Sequence, residues 1–271
     1  MKTTFIAIAF IVSHVTLFAQ HSLEKLWQTD SVLTTPESVL PAADGKFLYV
    51  SNMGTQQENT GYISKVGLDG KIIQKEWVTG LNATKGLGLY SGQLYAAELT
   101  AVAVIDVKTG TILRRIPVEG AKMLNDITVD AKGAVYVSDS RANKIHKIEN
   151  GTPAVYLEDM DNANGLLAVG PFLYVLTNGK LQKIDAKKNK TVIAEGLEGN
   201  TDGIVHVKDN EFIVSGWQGI IYYVKGDGSK QVLLDTREKK SNTADIWYNA
   251  TTQTLYVPTF FRNSVAAYQL K

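Results

Sequence analysis

One phrase recurs along this chain: an apolar strand, a turn holding Gly, Asp or Asn, and a second strand that closes on an aromatic or aliphatic pair. Its copies read SVLPAADGKFLYVSN, GLGLYSGQLYAAE, DITVDAKGAVYVSD, GLLAVGPFLYVLT, GIVHVKDNEFIVSG and DIWYNATTQTLYVPT. Repetition at a fixed period constrains a fold more than any local pattern, because each copy must be one supersecondary unit packed on the next. The equivalent positions Val50, Ala96, Val137, Val175, Val214 and Val257 lie 46, 41, 38, 39 and 43 residues apart. That is about the 40–50 residue length of a propeller blade. Further hairpins follow through LDGK, VKTGT, ENGT, AKKNK and KGDGS, which brings each unit to four strands. Beyond residue 19 no segment sustains a helical apolar period, so helices are not expected. The reading is all-β: a six-bladed β-propeller of four-stranded antiparallel blades, one domain over residues 20–271.

The last unit runs out one strand early, since only SVAAYQLK remains after TLYVPTFF. The segment SLEKLWQTDSV, apolar at Leu23, Leu26 and Trp27, can supply the missing outer strand. Joining it to the C-terminal blade would close the ring and remove an open sheet edge.

Residues 1–19 follow a different pattern. Lys2 precedes an apolar stretch from Phe5 to Phe18, and Ala19 is followed by polar Gln20 and His21. This reads as a secretory signal peptide; the stretch is interrupted by Ser13 and His14 and falls short of the roughly 20 residues that span a bilayer. The expectation is an exported protein, periplasmic or secreted, monomeric and without stable membrane insertion. With 28 Lys and Arg against 27 Asp and Glu, the chain lacks the basic footprint of a nucleic-acid binder. It has no cysteine, which excludes disulfides, thiolate metal sites and a cysteine nucleophile. Phosphate-loop, G-x-S-x-G and H-E-x-x-H motifs are missing as well.

In a propeller the starts of the inner strands converge on one axis, so residues far apart in sequence become neighbours there. These starts carry Glu37, Asn125, Asp126, Asn164 and Asp202, with Lys85 and Asp245 from the second and sixth units. Oxygen donors on one axis suit a hard divalent cation. Asn and Asp are also ordinary turn residues, and any one of them alone reads as a local cap. Glu37 is not a turn former and directly precedes an apolar strand. The connections between second and third strands would form the rim that selects a substrate: Asn52, Glu98, Asp139 with Arg141, Asn178, Trp217, and Phe260 with Arg262, joined by Lys85.

Together these phrases resemble the senescence-marker-protein/gluconolactonase family of six-bladed propellers, whose relatives include the paraoxonases. The carriers, in order, are P-E-S at Glu37, N-D-I at Asn125, A-N-G-L at Asn164 and T-D-G-I at Asp202, spread over the whole chain after residue 19. The resemblance implies a divalent metal in the channel, commonly Ca²⁺, with Mg²⁺, Mn²⁺ or Zn²⁺ as alternatives. It implies that Glu37, Asn164 and Asp202 hold the ion, that Asn125 binds metal or substrate, and that the activity is hydrolysis of lactones or related esters. Asp202, with Asn125, is then the expected catalytic pair, Asp202 taking the proton from the attacking water. The chain departs from the pattern in two ways. It has Ser38 where gluconolactonases show Gly after the Glu, and no paraoxonase-like histidine pair, because His146 and His206 lie on strands and read as packing residues. The competing function is a non-catalytic propeller that binds a peptide, glycan or protein, any metal being structural.

Overall fold

Short alternating segments separated by Gly- and Asn-bearing turns pair with their neighbours in sequence, and the computed structural model, which describes residues 20–271, shows six sheets built this way. The signal peptide expected over residues 1–19 lies outside the described residues. The first blade comprises β2 (Pro36–Pro41), β3 (Phe47–Asn52), β4 (Gly61–Gly67) and β5 (Ile72–Leu81). The second runs β6 (Leu87–Tyr90), β7 (Gln93–Ala97), β8 (Ala101–Asp106) and β9 (Ile112–Pro117), and the third β10 (Leu124–Val129), β11 (Val135–Asp139), β12 (Lys144–Glu149) and β13 (Thr152–Leu157). The fourth holds β14 (Ala163–Val169), β15 (Phe172–Thr177), β16 (Lys180–Ile184) and β17 (Lys190–Ala194), and the fifth β18 (Thr201–Lys208), β19 (Glu211–Gly216), β20 (Ile220–Lys225) and β21 (Lys230–Asp235). In the sixth, β22 (Trp247–Asn249), β23 (Thr254–Pro258) and β24 (Val265–Leu270) are completed by β1 (Leu23–Gln28). The chain is therefore a six-bladed β-propeller of four-stranded antiparallel blades. Among the described residues the only helical element is one 3-10 turn, Phe260–Arg262.

The closing strand is tied at both ends. Leu23 pairs with Leu270 and Gln28 with Ala266, and the backbones of Ser22 and Lys271 exchange hydrogen bonds of 3.1 and 3.0 Å. Trp27 also donates from Nε1 to Leu68 O at 2.9 Å, which fastens the closed sixth blade to the first. Its ring leaves no space for a side chain at Gly70, where an added Cβ would lie 2.7 Å from Trp27 Cε3.

The repeat read from the sequence is the packing unit. Val50, Ala96, Val137, Val175 and Val214 pair with Val39, Leu87, Ile127, Leu166 and Ile204 of the inner strands. All of these are buried, and each seam between neighbouring blades has its own apolar cluster. Burying a Val, Leu or Ile side chain contributes about 1.5–3 kcal/mol, so the ring is held by many seam residues and the channel is free to carry polar ones.

Candidate functional site

Aligned on Val39, Leu87, Ile127, Leu166, Ile204 and Ile246, the starts of the six blades give two rings of side chains around the axis. Two places before each seam residue stand Glu37, Lys85, Asn125, Asn164, Asp202 and Ala244, the mouth ring. One place before it stand Ser38, Gly86, Asp126, Gly165, Gly203 and Asp245, the floor ring. The rings separate because the inner strand bulges there. In the first, third, fourth and fifth blades two residues, one from each ring, oppose a single residue of the partner strand: Ser51, Ser138, Leu176 or Ser215. A bulge turns a side chain that pairing would have held in the pleat.

The floor ring is committed to the scaffold. Asp126 accepts from its neighbour Ile127 N through Oδ1 and from Leu166 N of the fourth blade through Oδ2, both at 2.6 Å. Asp245 Oδ2 accepts from Ser38 Oγ at 2.5 Å, which joins the sixth blade to the first. The amides of Ser38, Asp126 and Gly203 donate to Ser51, Ser138 and Ser215 Oγ at 3.0, 2.9 and 2.8 Å. Small residues stand between the aspartates for a steric reason. A Cβ on Gly203 would lie 2.6 Å from Asp245 Oδ1, and one on Gly165 2.1 Å from Asp202 O.

The mouth ring is built with acceptors left over. Asn125 Nδ2 donates to Ser140 Oγ at 3.1 Å; Ser140 itself donates to Ala163 O at 2.6 Å, so it can only accept from Asn125. Asn164 Nδ2 donates to Asp202 Oδ1 at 2.9 Å and to Thr201 O at 3.3 Å, two acceptors that fix the orientation of the amide. What remains without a donor, all buried, is Glu37 Oε2, Asn125 Oδ1 and Asn164 Oδ1. Thr84 Oγ1, beside Lys85, is without a partner too. Lys85 Nζ stands 3.8 Å from Glu37 Oε1 and 3.7 Å from Met53 Sδ.

Four buried carboxylates share this space with one ammonium. Burial pushes Glu37 up to about 7, against the opposing pull of Lys85. Burial and the charges of the neighbouring carboxylates hold Asp126, Asp202 and Asp245 well above the usual carboxylate range. Among the described residues no three Asp, Glu or His side chains are gathered to hold a metal ion by themselves. A cation here would draw part of its shell from the carboxamides, and the free oxygens of Asn125 and Asn164 fit that role.

No family model matches the chain, and no curated protein does. Solved structures do match. A gluconolactonase of Xanthomonas campestris aligns with a TM-score of 0.69 at 17% identity, covering 92% of this chain and 89% of its own. A catalytically inactive virginiamycin B lyase of Staphylococcus aureus, with quinupristin, aligns at 0.66 and 12% identity over 92% of this chain and 99% of its own. A streptogramin B lyase aligns at 0.67 and 13% identity over 93% and 98%. The likeness is one of fold.

Within this propeller the expected rim divides. Glu98 and Asp139 lie below the surface as struts for the blade-to-blade linkers and do not line an open rim. Glu98 accepts from Asn82 N at 2.8 Å and Arg115 Nε at 2.8 Å. Asp139 accepts from the amides of Lys122, Met123 and Ala142 at 2.8, 2.9 and 3.0 Å. Asn52 is buried with its Nδ2 on Val50 O and Ser64 Oγ. Lys85 belongs to the mouth ring itself, while Arg141, Asn178 and Arg262 are exposed. His146 is buried in β12 and His206 bonds Asp209 O at 2.8 Å, so neither joins the rings.

Trp217 and Phe260 form an apolar side to the mouth. Ala244, the one apolar mouth-ring residue, packs with Met53, Ala83 and Phe260, and Trp217 lies against them. Trp217, Phe260 and the exposed Phe261 meet edge to face, with centroids 4.8–5.8 Å apart. Phe260 holds a φ of 47°, a left-handed backbone that a bulky side chain rarely takes. Arg262 anchors this turn by donating to Lys239 O at 2.6 Å. The sequence carried a signal for the floor in the repeated V-S of the second strand (Ser51, Ser138, Ser215), whereas Ser140 and Met53 had none. Two surface clefts, of 830 and 920 Å³, lie between the third and fourth blades and between the second and third, and neither includes a ring residue.

Proposed function

We propose that the channel mouth is the active site of a divalent-cation-dependent hydrolase of lactones or related esters, working in an exported compartment, periplasmic or secreted. Ca²⁺ is the first candidate, with Mg²⁺, Mn²⁺ and Zn²⁺ the alternatives. The observation that carries this reading is the set of buried acceptors without donors, Glu37 Oε2, Asn125 Oδ1 and Asn164 Oδ1, on three blades around one axis. Each such acceptor costs about 1–3 kcal/mol, an expense that a bound cation offsets. The fold likeness to a gluconolactonase supports the choice of a lactone.

Glu37, Asn125, Asn164 and Asp202 would hold the ion, with waters filling a shell of about six to eight oxygens for Ca²⁺. Bound there, a divalent cation supplies Lewis acidity to the substrate carbonyl and stabilises the charge that develops on its oxygen. Asp202 accepts the proton of the attacking water. Asn164 Nδ2 fixes its Oδ1 at 2.9 Å and leaves Oδ2 to take the proton. As the water oxygen bonds the acyl carbon, the proton passes to Asp202 Oδ2 and then to the departing alkoxide oxygen, giving a hydroxy acid. Asn125, braced by Ser140, orients the substrate. Trp217 and Phe260 accept its apolar substituent.

The test is a pH-stat assay of purified protein on sugar lactones, aliphatic lactones and aryl esters, with Ca²⁺ and with chelator. Turnover should stop with chelator, return with Ca²⁺, and fall by about 10²–10⁴ in Asp202→Asn. Ca²⁺ binding with no turnover across the panel would overturn the hydrolase and leave the binding module with a structural ion.

A further inference from the structure

Lys85 is the only cation in either ring, and the chemistry above does not require it. Its backbone is set in the ring by Lys85 N to Ala97 O at 2.9 Å and by Gly86 N to Asn125 O at 3.0 Å, so the side chain starts from the same level as the four expected ligands. Its side chain is 11% exposed. An ammonium carries three donors and, when buried, needs good partners for them. The partners it has are poor. Glu37 Oε1 at 3.8 Å lies beyond hydrogen-bond reach, and Met53 Sδ at 3.7 Å is a weak acceptor. At the same time Glu37 keeps its other oxygen free, although a small displacement would let a buried ammonium and a buried carboxylate bond directly. A loose pair of this kind is easily exchanged for a stronger one.

We propose that Lys85 is an internal competitor of the divalent cation: it balances Glu37 in the metal-free ring, and the entering ion displaces it, so that Lys85 sets the ion affinity of the site. The inference rests on the divalent-cation reading above. Its consequence is a trade. One positive charge among Glu37, Asp126, Asp202 and Asp245 lets the ring close without the ion, at the cost of weaker ion binding.

The trade predicts effects of opposite sign, which a merely structural lysine would not give. Calorimetric titration with Ca²⁺ alone, and thermal unfolding with and without it, are compared for the wild type, Lys85→Met, Lys85→Gln and the exposed, charge-matched control Lys122→Met. Lys85→Met should bind Ca²⁺ at least tenfold more tightly, unfold at lower temperature in chelator, and gain more from saturating Ca²⁺ than the wild type does. Lys85→Gln should do the same if the methionine variant fails to fold, and Lys122→Met should stay within about twofold of the wild type. Wild-type binding with equal or weaker affinity in both Lys85 variants overturns the competitor role and leaves the metal site standing. An equal gain in Lys122→Met also overturns it, by reducing the effect to net charge. Absence of Ca²⁺ binding in the wild type and in both Lys85 variants overturns the competitor and the metal reading together.

Discussion

The mouth ring and the floor ring come from adjacent residues at the start of each blade, yet they have been finished to different standards. In the floor ring both oxygens of Asp126 take backbone donors at 2.6 Å, and Asp245 takes a serine hydroxyl across the last seam. One residue earlier, Glu37, Asn125 and Asn164 each end in a buried oxygen that nothing satisfies. Folding rarely leaves three such groups together, because each costs about 1–3 kcal/mol and nearly all buried polar atoms find partners. The contrast separates two uses of the same residue types. Carboxylates that tie blades together are structural, and on the proposed reading the acceptors held in place with nothing to accept from are the ones that would meet the cation.

The sharpest way to break this comparison is to make equivalent substitutions in the two rings. Asp126→Ala removes the acceptor for Leu166 N and Ile127 N and should destabilise the protein by about 3 kcal/mol, read as a fall in thermal midpoint in chelator. Asn164→Ala removes an unsatisfied oxygen together with the amide that fixes Asp202. It should leave the midpoint in chelator within about 1 kcal/mol of the wild type while Ca²⁺ affinity drops by about tenfold or more, roughly 1.4 kcal/mol. If Asn164→Ala unfolds as readily as Asp126→Ala, both rings are scaffold and the site lies elsewhere.

A titration of stability with pH sharpens the same contrast. In metal-free protein Glu37 has a pKa raised from 4.5 to about 7 by burial, and Asp126, Asp202 and Asp245 are raised as well. A group whose folded pKa is raised holds its stabilising contribution below the unfolded pKa and loses it as pH climbs through the folded pKa. Stability in chelator should therefore fall between about pH 4.5 and 7, by about 3 kcal/mol for Glu37 alone. Saturating Ca²⁺, which binds the ionised form, should flatten or reverse that slope. The turn aspartates Asp69, Asp106, Asp185 and Asp227 have lowered pKa values and act in the opposite sense at more acid pH, outside this window. Buried His146, whose pKa burial lowers from 6.5, contributes a slope of the opposite sign below about pH 6.5, so the test is made in His146→Gln, where a metal-free protein that gains stability from pH 4.5 to 7 would contradict this arrangement of buried charge.

Much of this was legible in the chain before the fold was known. The spacing from Val50 to Val257 gave the blade count because seam residues must recur once per blade. SLEKLWQTDSV declared itself as the closing strand because one strand was missing and one apolar segment was spare. Glu37, Asn125, Asn164 and Asp202 could be placed on one axis because each stands at the start of an inner strand. What periodicity does not carry is depth. Glu98 and Asp139 occupy the repeat position of Asn52, and they turned out to be buried struts because the linkers fold over them. The division into mouth and floor depends on bulges opposite Ser51, Ser138, Leu176 and Ser215. A bulge changes which way a side chain points without changing its place in the repeat, so the neighbours Asn125 and Asp126 read alike although they fall in different rings.

The smallest expected effect concerns the apolar side of the mouth, where the comparison turns from depth to direction. Asn125, Asn164 and Asp202 line one side of the ring, while Ala244, Met53, Phe260 and Trp217 gather on the other. Trp217 packs there edge to face on Phe260 at 5.4 Å, half-buried and free to lose surface to a ligand. Trp217→Ala should raise KM about three- to tenfold for lactones with aryl or long alkyl substituents, since a partly covered aromatic contributes on the order of 1 kcal/mol. Polyhydroxylated lactones of the same ring size should be nearly unaffected, and kcat should hold for both, because the Trp217 ring packs on Phe260 and Phe261 and is given no part in the proton transfer. Steady-state kinetics on the two substrate sets decides it. An equal KM change for both would make Trp217 a support for the Phe260 turn, and a fall in kcat would place it against the reacting atoms.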